Sequence, residues 1–203
     1  VDVVFVAGSP SRPSRSTAVL RAVRRALPEE RLTAAEVHVR DLPPAALLRG
    51  DADDPEVAAA ARLIENARPV VIATPVYKAA YSGALKAFLD LLPPTALAGK
   101  VVLPLAAGGS PGHRLYALKP VLSALGARHQ LAGVFVRDDQ APWNGAALCG
   151  AHGDDAAAFA LDEAADARLR SAAAELAALL LPGTDDPALP IASDTLTLLG
   201  GGI

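Results

Sequence analysis

The sequence has a single cysteine, Cys149, among 203 residues. An internal disulfide is therefore excluded, and no Cys/His spacing around Cys149 suits a metal ion. A reducing, cytoplasmic setting is the expectation that follows. No apolar run approaches the roughly 20 residues that a membrane-spanning helix needs. The greasiest stretch, Leu176–Leu181, stops at Pro182. The amino end shows no secretory signal, since Val1–Ala7 is short, has no basic lead and carries Asp2. Charge of one sign is not in excess either: the net charge is -3 and the pI about 5.8. That balance argues against nucleic acid or an anionic membrane as the main partner. Internal repeats are absent as well.

What is present is apolar material for a core. Hydrophobic residues make up 52% and charged residues 20% of the chain, the opposite of a disordered composition. The length suits one domain, expected over residues 1–182, with 183–203 a loose glycine-rich tail or a partner contact.

Val3–Ala7 is a continuous apolar run closed by Gly8 and reads as a strand buried on both faces. From Ser14 or Arg15 to Leu27, apolar residues recur at helical spacing until Pro28 stops them. Ala35–Arg40 alternates apolar with polar, as an edge strand does. Pro43-Pro44 and the acidic Asp51–Pro55 stretch bracket a long connection. A second helix around Val57–Ile64 has Asp53 or Asp54 as a cap and Pro55 in its first turn. Val70–Ala73 is the third strand, Ala84–Leu92 the third helix and Val101–Ala107 the fourth strand. Leu115–Leu125 is the fourth helix, kinked or restarted at Pro120. Leu131–Val136 is the fifth strand, and Leu161–Leu181 the last helix. This alternation predicts a flavodoxin-like, doubly wound α/β fold with a five-stranded parallel sheet, order 2-1-3-4-5, and helices on both faces. Ligands of such sheets bind outside the carboxyl ends of the strands, where the order switches.

Three loops reach that edge. The first, Gly8–Thr17, opens a helix with Ser9, Ser11, Ser14, Ser16, Thr17, Arg12 and Arg15. Free N–H groups, hydroxyls and a guanidinium make an anion site suited to a phosphate monoester. The dinucleotide fingerprint G-x-G-x-x-G and the P-loop G-x-x-x-x-G-K-[ST] are both missing. The same hydroxyls also suit an ordinary helix cap by Ser14 or Ser16. The second loop, Thr74–Gly83, is stiffened by Pro75 and holds two of the chain's three tyrosines, Tyr77 and Tyr81. Such a loop suits a flat heteroaromatic ring, and equally an interface between subunits. The third loop, Ala107–His113, has the pair Gly108-Gly109, which permits close backbone approach to a ligand or simply a tight turn. Asp138-Asp139, after the fifth strand, reads as a solvated turn away from the switch point.

Taken together, Ala7-Gly8-Ser9-Pro10 with Pro13-Ser14-Arg15-Ser16, the segment Ala73–Lys86, Gly99–Ala106, Gly108-Gly109 and Tyr116–Leu125 resemble the NAD(P)H-dependent FMN reductases of alkanesulfonate utilisation. The likeness runs from the first strand to Phe135, and Thr74–Lys86 is its most specific part. It implies a flavodoxin-like fold, FMN, NADPH or NADH as donor, and reduced FMN released to a separate flavin-dependent monooxygenase. It also implies a homodimer or homotetramer. It places the FMN phosphate on Ser9, Ser14, Arg15 and Ser16. The ring is placed against Pro75, Val76, Tyr77 and Lys78, beside Gly108 and Gly109. In one respect the chain departs from the pattern. The segment before Tyr116 is shorter by roughly three residues, just under one helical turn. That puts the position of Tyr116, and with it tetramer formation and flavin release, in question.

The implied chemistry is hydride transfer from nicotinamide to flavin, for which no side chain need act as acid or base. The protein's task is to stack two rings and fix their orientation. Lys78 is placed to stabilise a reduced, anionic flavin, or is a solvated lysine. His113 and Arg114 suit the 2′-phosphate of NADPH, or are exposed loop residues. Two other readings share the fold: an FMN electron carrier of flavodoxin type, and an enzyme that keeps its FMN and reduces quinones, azo dyes or metal ions. A phospho-relay receiver is excluded, because the acidic cluster it needs after the first strand is missing.

Overall fold

In the computed structural model, residues 1–28, 30–109, 118–144 and 158–180 are described. The expectations placed on His113, Arg114, Tyr116, Cys149 and the tail 183–203 lie outside the described residues.

The strands are β1 (Val3–Ala7), β2 (Ala34–His38), β3 (Pro69–Tyr77), β4 (Ala80–Tyr81), β5 (Val101–Gly108), β6 (His129–Gln130) and β7 (Val134–Arg137). The helices among the described residues are α1 (Arg15–Ala26), α2 (Pro44–Arg49), α3 (Pro55–Asn66), α4 (Gly83–Leu89), α5 (Lys119–Ala124) and α6 (Glu163–Leu180). The sheet runs β2-β1-β3-β5, with β6 and β7 both along the far side of β5. All these pairings are parallel; only β4, folded back on β3, is antiparallel. The expected order 2-1-3-4-5 is thus realised, with the fifth position filled by two short strands.

The reason for that division lies in β5. The Leu131 N–H donates to the Val102 carbonyl at 2.9 Å, so Val102 faces the fifth position. Pro104, two residues on, faces the same way and has no N–H to give. The ladder resumes at Leu105↔Val134, after Gly133 turns the chain at φ 77°. The connection after β2 also differs from expectation, because Pro44–Arg49 forms a short helix closed by Gly50 in the left-handed region. Pro120 lies in the first turn of α5, a restart rather than a kink.

Strand alternation assigns two cores. Val3, Phe5 and Ala7 face Val19, Leu20 and Val23 of α1 and Leu169, Ala173 and Leu176 of α6. Val4 and Val6 face the opposite side, with Ile64 of α3, Leu85, Phe88 and Leu89 of α4, and Leu122 of α5. Both faces of the central strands are covered, which is why those strands read as unbroken apolar runs. Among the described residues, no helix is long and apolar enough to cross a membrane.

Candidate functional site

The parallel strands bring the loops after β1, β3, β5 and β7 to one edge of the sheet. At the start of α1, Ser14 is the N-cap, and its hydroxyl accepts from the Thr17 N–H at 3.2 Å. It also shares a hydrogen bond of 3.1 Å with the Ser16 hydroxyl. The Ser9 hydroxyl accepts from the Ser11 N–H at 3.2 Å. Ser9, Ser14, Ser16 and Thr17 are all buried. The Thr17 hydroxyl oxygen has no hydrogen-bond partner among the described residues. A buried polar atom left unpaired is costly, and the hydroxyls of this segment are donors of the kind an anion accepts from. The cap reading and the anion reading therefore coexist: Ser14 caps the helix, and the remaining hydroxyls exceed what a cap requires.

Arg15 occupies the first position of α1, but its guanidinium reaches across the sheet edge. Its Nη1 donates to Asp138 Oδ1 at 2.7 Å and its Nε to the Ala141 carbonyl at 2.8 Å. The guanidinium also lies over the Phe159 ring, 5.0 Å from its centroid. Phe159 in turn meets Trp143 edge-to-face at 5.5 Å. Asp138 is therefore not the remote solvated residue expected from the sequence. β7 ends beside β5, so the end of the fifth strand belongs to this edge. Asp139 fits the expectation better, exposed and paired with Arg137.

The second loop is a hairpin. Val76 pairs with Tyr81 and Tyr77 with Ala80, leaving Lys78 and Ala79 as a two-residue turn. Both are in the left-handed region, at φ 49° and 66°. Such turns ordinarily carry Asn-Gly; a lysine and an alanine there store strain of order 1–2 kcal/mol each. Pro75 and Val76 are half-buried, while Tyr77 and Lys78 are exposed. Burial pushes the Tyr81 phenol above its ordinary value, with Asp90 adding to the effect and Lys86 opposing it.

Two residues that carried no expected role tie the loops together. The buried Ser82 hydroxyl donates to the Gly8 carbonyl and accepts from the Leu85 N–H, capping α4. The Ser82 N–H donates to the Thr74 hydroxyl at 3.0 Å, and that hydroxyl donates to the Pro75 carbonyl. Only the capping role was legible, as a serine just before a helix.

The glycines fill close contacts. A Cβ on Gly108 would stand 3.1 Å from Val76 Cβ, and one on Gly109 3.2 Å from Asp138 Oδ2. Gly108 thus packs against the β3 loop and Gly109 against the carboxylate of Asp138. A thin backbone surface results between the hairpin and the end of β7.

A second charged cluster sits apart, on the edge strand. Glu36 Oε1 meets His38 Nε2 at 2.7 Å and Arg21 Nε at 3.4 Å, and its Oε2 meets Arg24 Nη1 at 3.0 Å. Burial alone would raise the Glu36 carboxyl. The hydrogen bond from His38 and the charges of His38, Arg21 and Arg24 outweigh it and hold the group at about 2.

The fold and these loops define a flavodoxin-like α/β protein with a cradle suited to a phosphate and a flat surface beside it. The profile of the NADPH-dependent FMN reductases matches residues 1–141. The chain is 48% identical over 141 residues to an FMN reductase (NADPH) of Pseudomonas putida, covering 68% of this chain and 72% of that one. It is also 48% identical over 141 residues to an FMN reductase (NADPH) of Escherichia coli, with coverages of 68% and 74%. The crystal structure of an NADH:FMN oxidoreductase (EMOB) in its apo form superposes with a TM-score of 0.72 at 36% identity, over 90% of this chain and 91% of that one. This chain belongs to the NADPH-dependent FMN reductase family. It is accordingly an oxidoreductase that works with FMN and a reduced nicotinamide.

Proposed function

We propose that the protein oxidises NADPH, passes the hydride to FMN held at this sheet edge, and delivers the reduced flavin to a partner monooxygenase, in the assimilation of sulfur from organosulfonates. The buried hydroxyls of Ser9, Ser14 and Ser16 at the start of α1 carry the reading. Ser9, Ser14 and Ser16 hold the phosphate monoester, and Arg15 lies within the same helix turn to assist them. Pro75, Val76, Tyr77 and Lys78 and the thin backbone of Gly108 and Gly109, which packs against Val76 and Asp138, offer the ring one continuous surface. When bound, FMN supplies the hydride acceptor. The chain's own residues orient the two rings and keep the flavin's phosphate anchored.

NADPH as the donor is favoured by the two relatives at 48% identity, both FMN reductases (NADPH). The sulfur role rests on the likeness of Ala73–Lys86 to reductases of alkanesulfonate utilisation. A homodimer or homotetramer is proposed on the same likeness, and a cytoplasmic setting on the single cysteine and the demand for reduced nicotinamide. The domain is taken as residues 1–182.

Steady-state nicotinamide oxidation with free FMN in excess tests the proposal. A reductase of diffusible flavin elutes largely colourless from gel filtration and turns over in proportion to added FMN. A yellow protein that shows no such turnover would instead be a carrier.

A further inference from the structure

Arg15 is one of the residues assigned to the flavin phosphate, yet its guanidinium is already engaged. Asp138 Oδ1 takes a charge-assisted bond from Nη1 at 2.7 Å, while Asp138 Oδ2 lies 3.2 Å from where a Cβ on Gly109 would stand. One carboxylate thus touches both halves of the site, the arginine of the phosphate cradle and the glycine of the ring surface. The pair is accessible to solvent, with side-chain exposures of 26% for Arg15 and 48% for Asp138, so an incoming anion can reach it. The seat of Arg15 does not depend on Asp138 alone, because the Ala141 carbonyl and the Phe159 ring also hold it.

We propose that Asp138 sets flavin affinity by competing with the phosphate monoester of FMN for Arg15. Binding FMN then exchanges one charge-assisted pair for another instead of gaining one, and leaves two anions near each other at the sheet edge. The net attraction is smaller than hydroxyls plus a free guanidinium would give. The flavin is held loosely enough to leave, which a supplier of diffusible reduced flavin requires. This inference rests on the phosphate cradle proposed above.

The test measures FMN and riboflavin dissociation constants for the wild type, Asp138→Asn, Arg15→Gln, the double variant and Ser16→Ala. Asp138→Ser and thermal melts serve as controls for folding. Arg15→Gln keeps a donor for the Ala141 carbonyl while removing the charge. Asp138→Asn is expected to tighten FMN by about fivefold to tenfold, a solvent-screened share of what a hydrogen bond to a charged group is worth. Riboflavin should change less than about twofold, and the gain should vanish in the Arg15→Gln background.

If Asp138→Asn and Asp138→Ser leave FMN unchanged while Ser16→Ala weakens FMN but not riboflavin, the cradle stands and the competition is wrong. If neither Ser16→Ala nor Arg15→Gln separates FMN from riboflavin, the cradle itself is wrong and the competition falls with it. Weaker FMN binding by Asp138→Asn would make Asp138 a positioning residue for Arg15 and overturn the proposal. So would a change in the NADPH-to-NADH KM ratio with FMN affinity unmoved, since Arg15 would then serve the 2′-phosphate of NADPH.

Discussion

The Ser82 hydroxyl donates to the carbonyl oxygen of Gly8, so the loops after β1 and β3 share one buried hydrogen bond. These two loops are 74 residues apart in the chain, and they are the ones assigned to the phosphate and the ring. The same oxygen caps α4 through the Leu85 N–H. Ser82→Ala removes both contacts and leaves a buried carbonyl and a helix N–H unpaired. A loss of about 2 kcal/mol in unfolding free energy is expected, with weaker binding of FMN. Denaturant unfolding and a flavin titration read the two effects.

Among the described glycines with a measured clearance, Gly8 has the least room for an added methyl group. Its Cβ would stand 2.9 Å from Leu85 Cβ and 3.0 Å from the Ala73 carbonyl oxygen. Gly8→Ala must therefore push α4 away from the sheet, a cost of about 1–3 kcal/mol typical of overpacking. Gly83→Ala, with nothing within 4 Å, is the matching control and should be tolerated. A lower denaturant midpoint for Gly8→Ala but not for Gly83→Ala is the expected result.

Ala79 sits at φ 66° in the hairpin turn, where glycine carries no steric cost. Ala79→Gly is expected to stabilise the protein by about 0.5–1 kcal/mol, a rise in Tm of roughly 1–4 °C for a domain of this size. A fall in Tm would show that the turn is not held in this conformation.

The Glu36 carboxyl lies near 2, below its ordinary 4.5, despite the burial that would raise it. Its contribution to stability is therefore complete above about pH 4.5 and is lost as the pH falls toward 2. The side chain is only 12% exposed, so a shift of this size corresponds to roughly 3 kcal/mol as an upper figure. The stability difference between wild type and Glu36→Gln should shrink through that interval. Parallel unfolding profiles from pH 6 to pH 2 would contradict the assignment.

The strands were legible because the central ones are apolar on both faces, and α1 because Ser14 precedes a helical run. The chemistry of the first loop could be read from its hydroxyls. The left-handed turn at Lys78-Ala79 could not, since neither residue favours it and the hairpin pairing of Val76 with Tyr81 imposes it. The meeting of Arg15 with Asp138, 123 residues away, is a product of topology: only the placement of β7 beside β5 brings that turn to the edge. Pro104 was visible in the fourth strand run. Its effect on the fifth strand emerges only when the register shows which neighbour it faces.

The central claim is that the hydroxyls at the start of α1 hold the flavin's phosphate, and comparison of FMN with riboflavin on Ser16→Ala examines it most directly. One lost hydrogen bond to a charged phosphate is worth about 1.5–3 kcal/mol. FMN affinity should fall by at least about tenfold, with riboflavin affinity staying within about twofold. Equal losses for both flavins, or no loss for either, would contradict the assignment of this cradle.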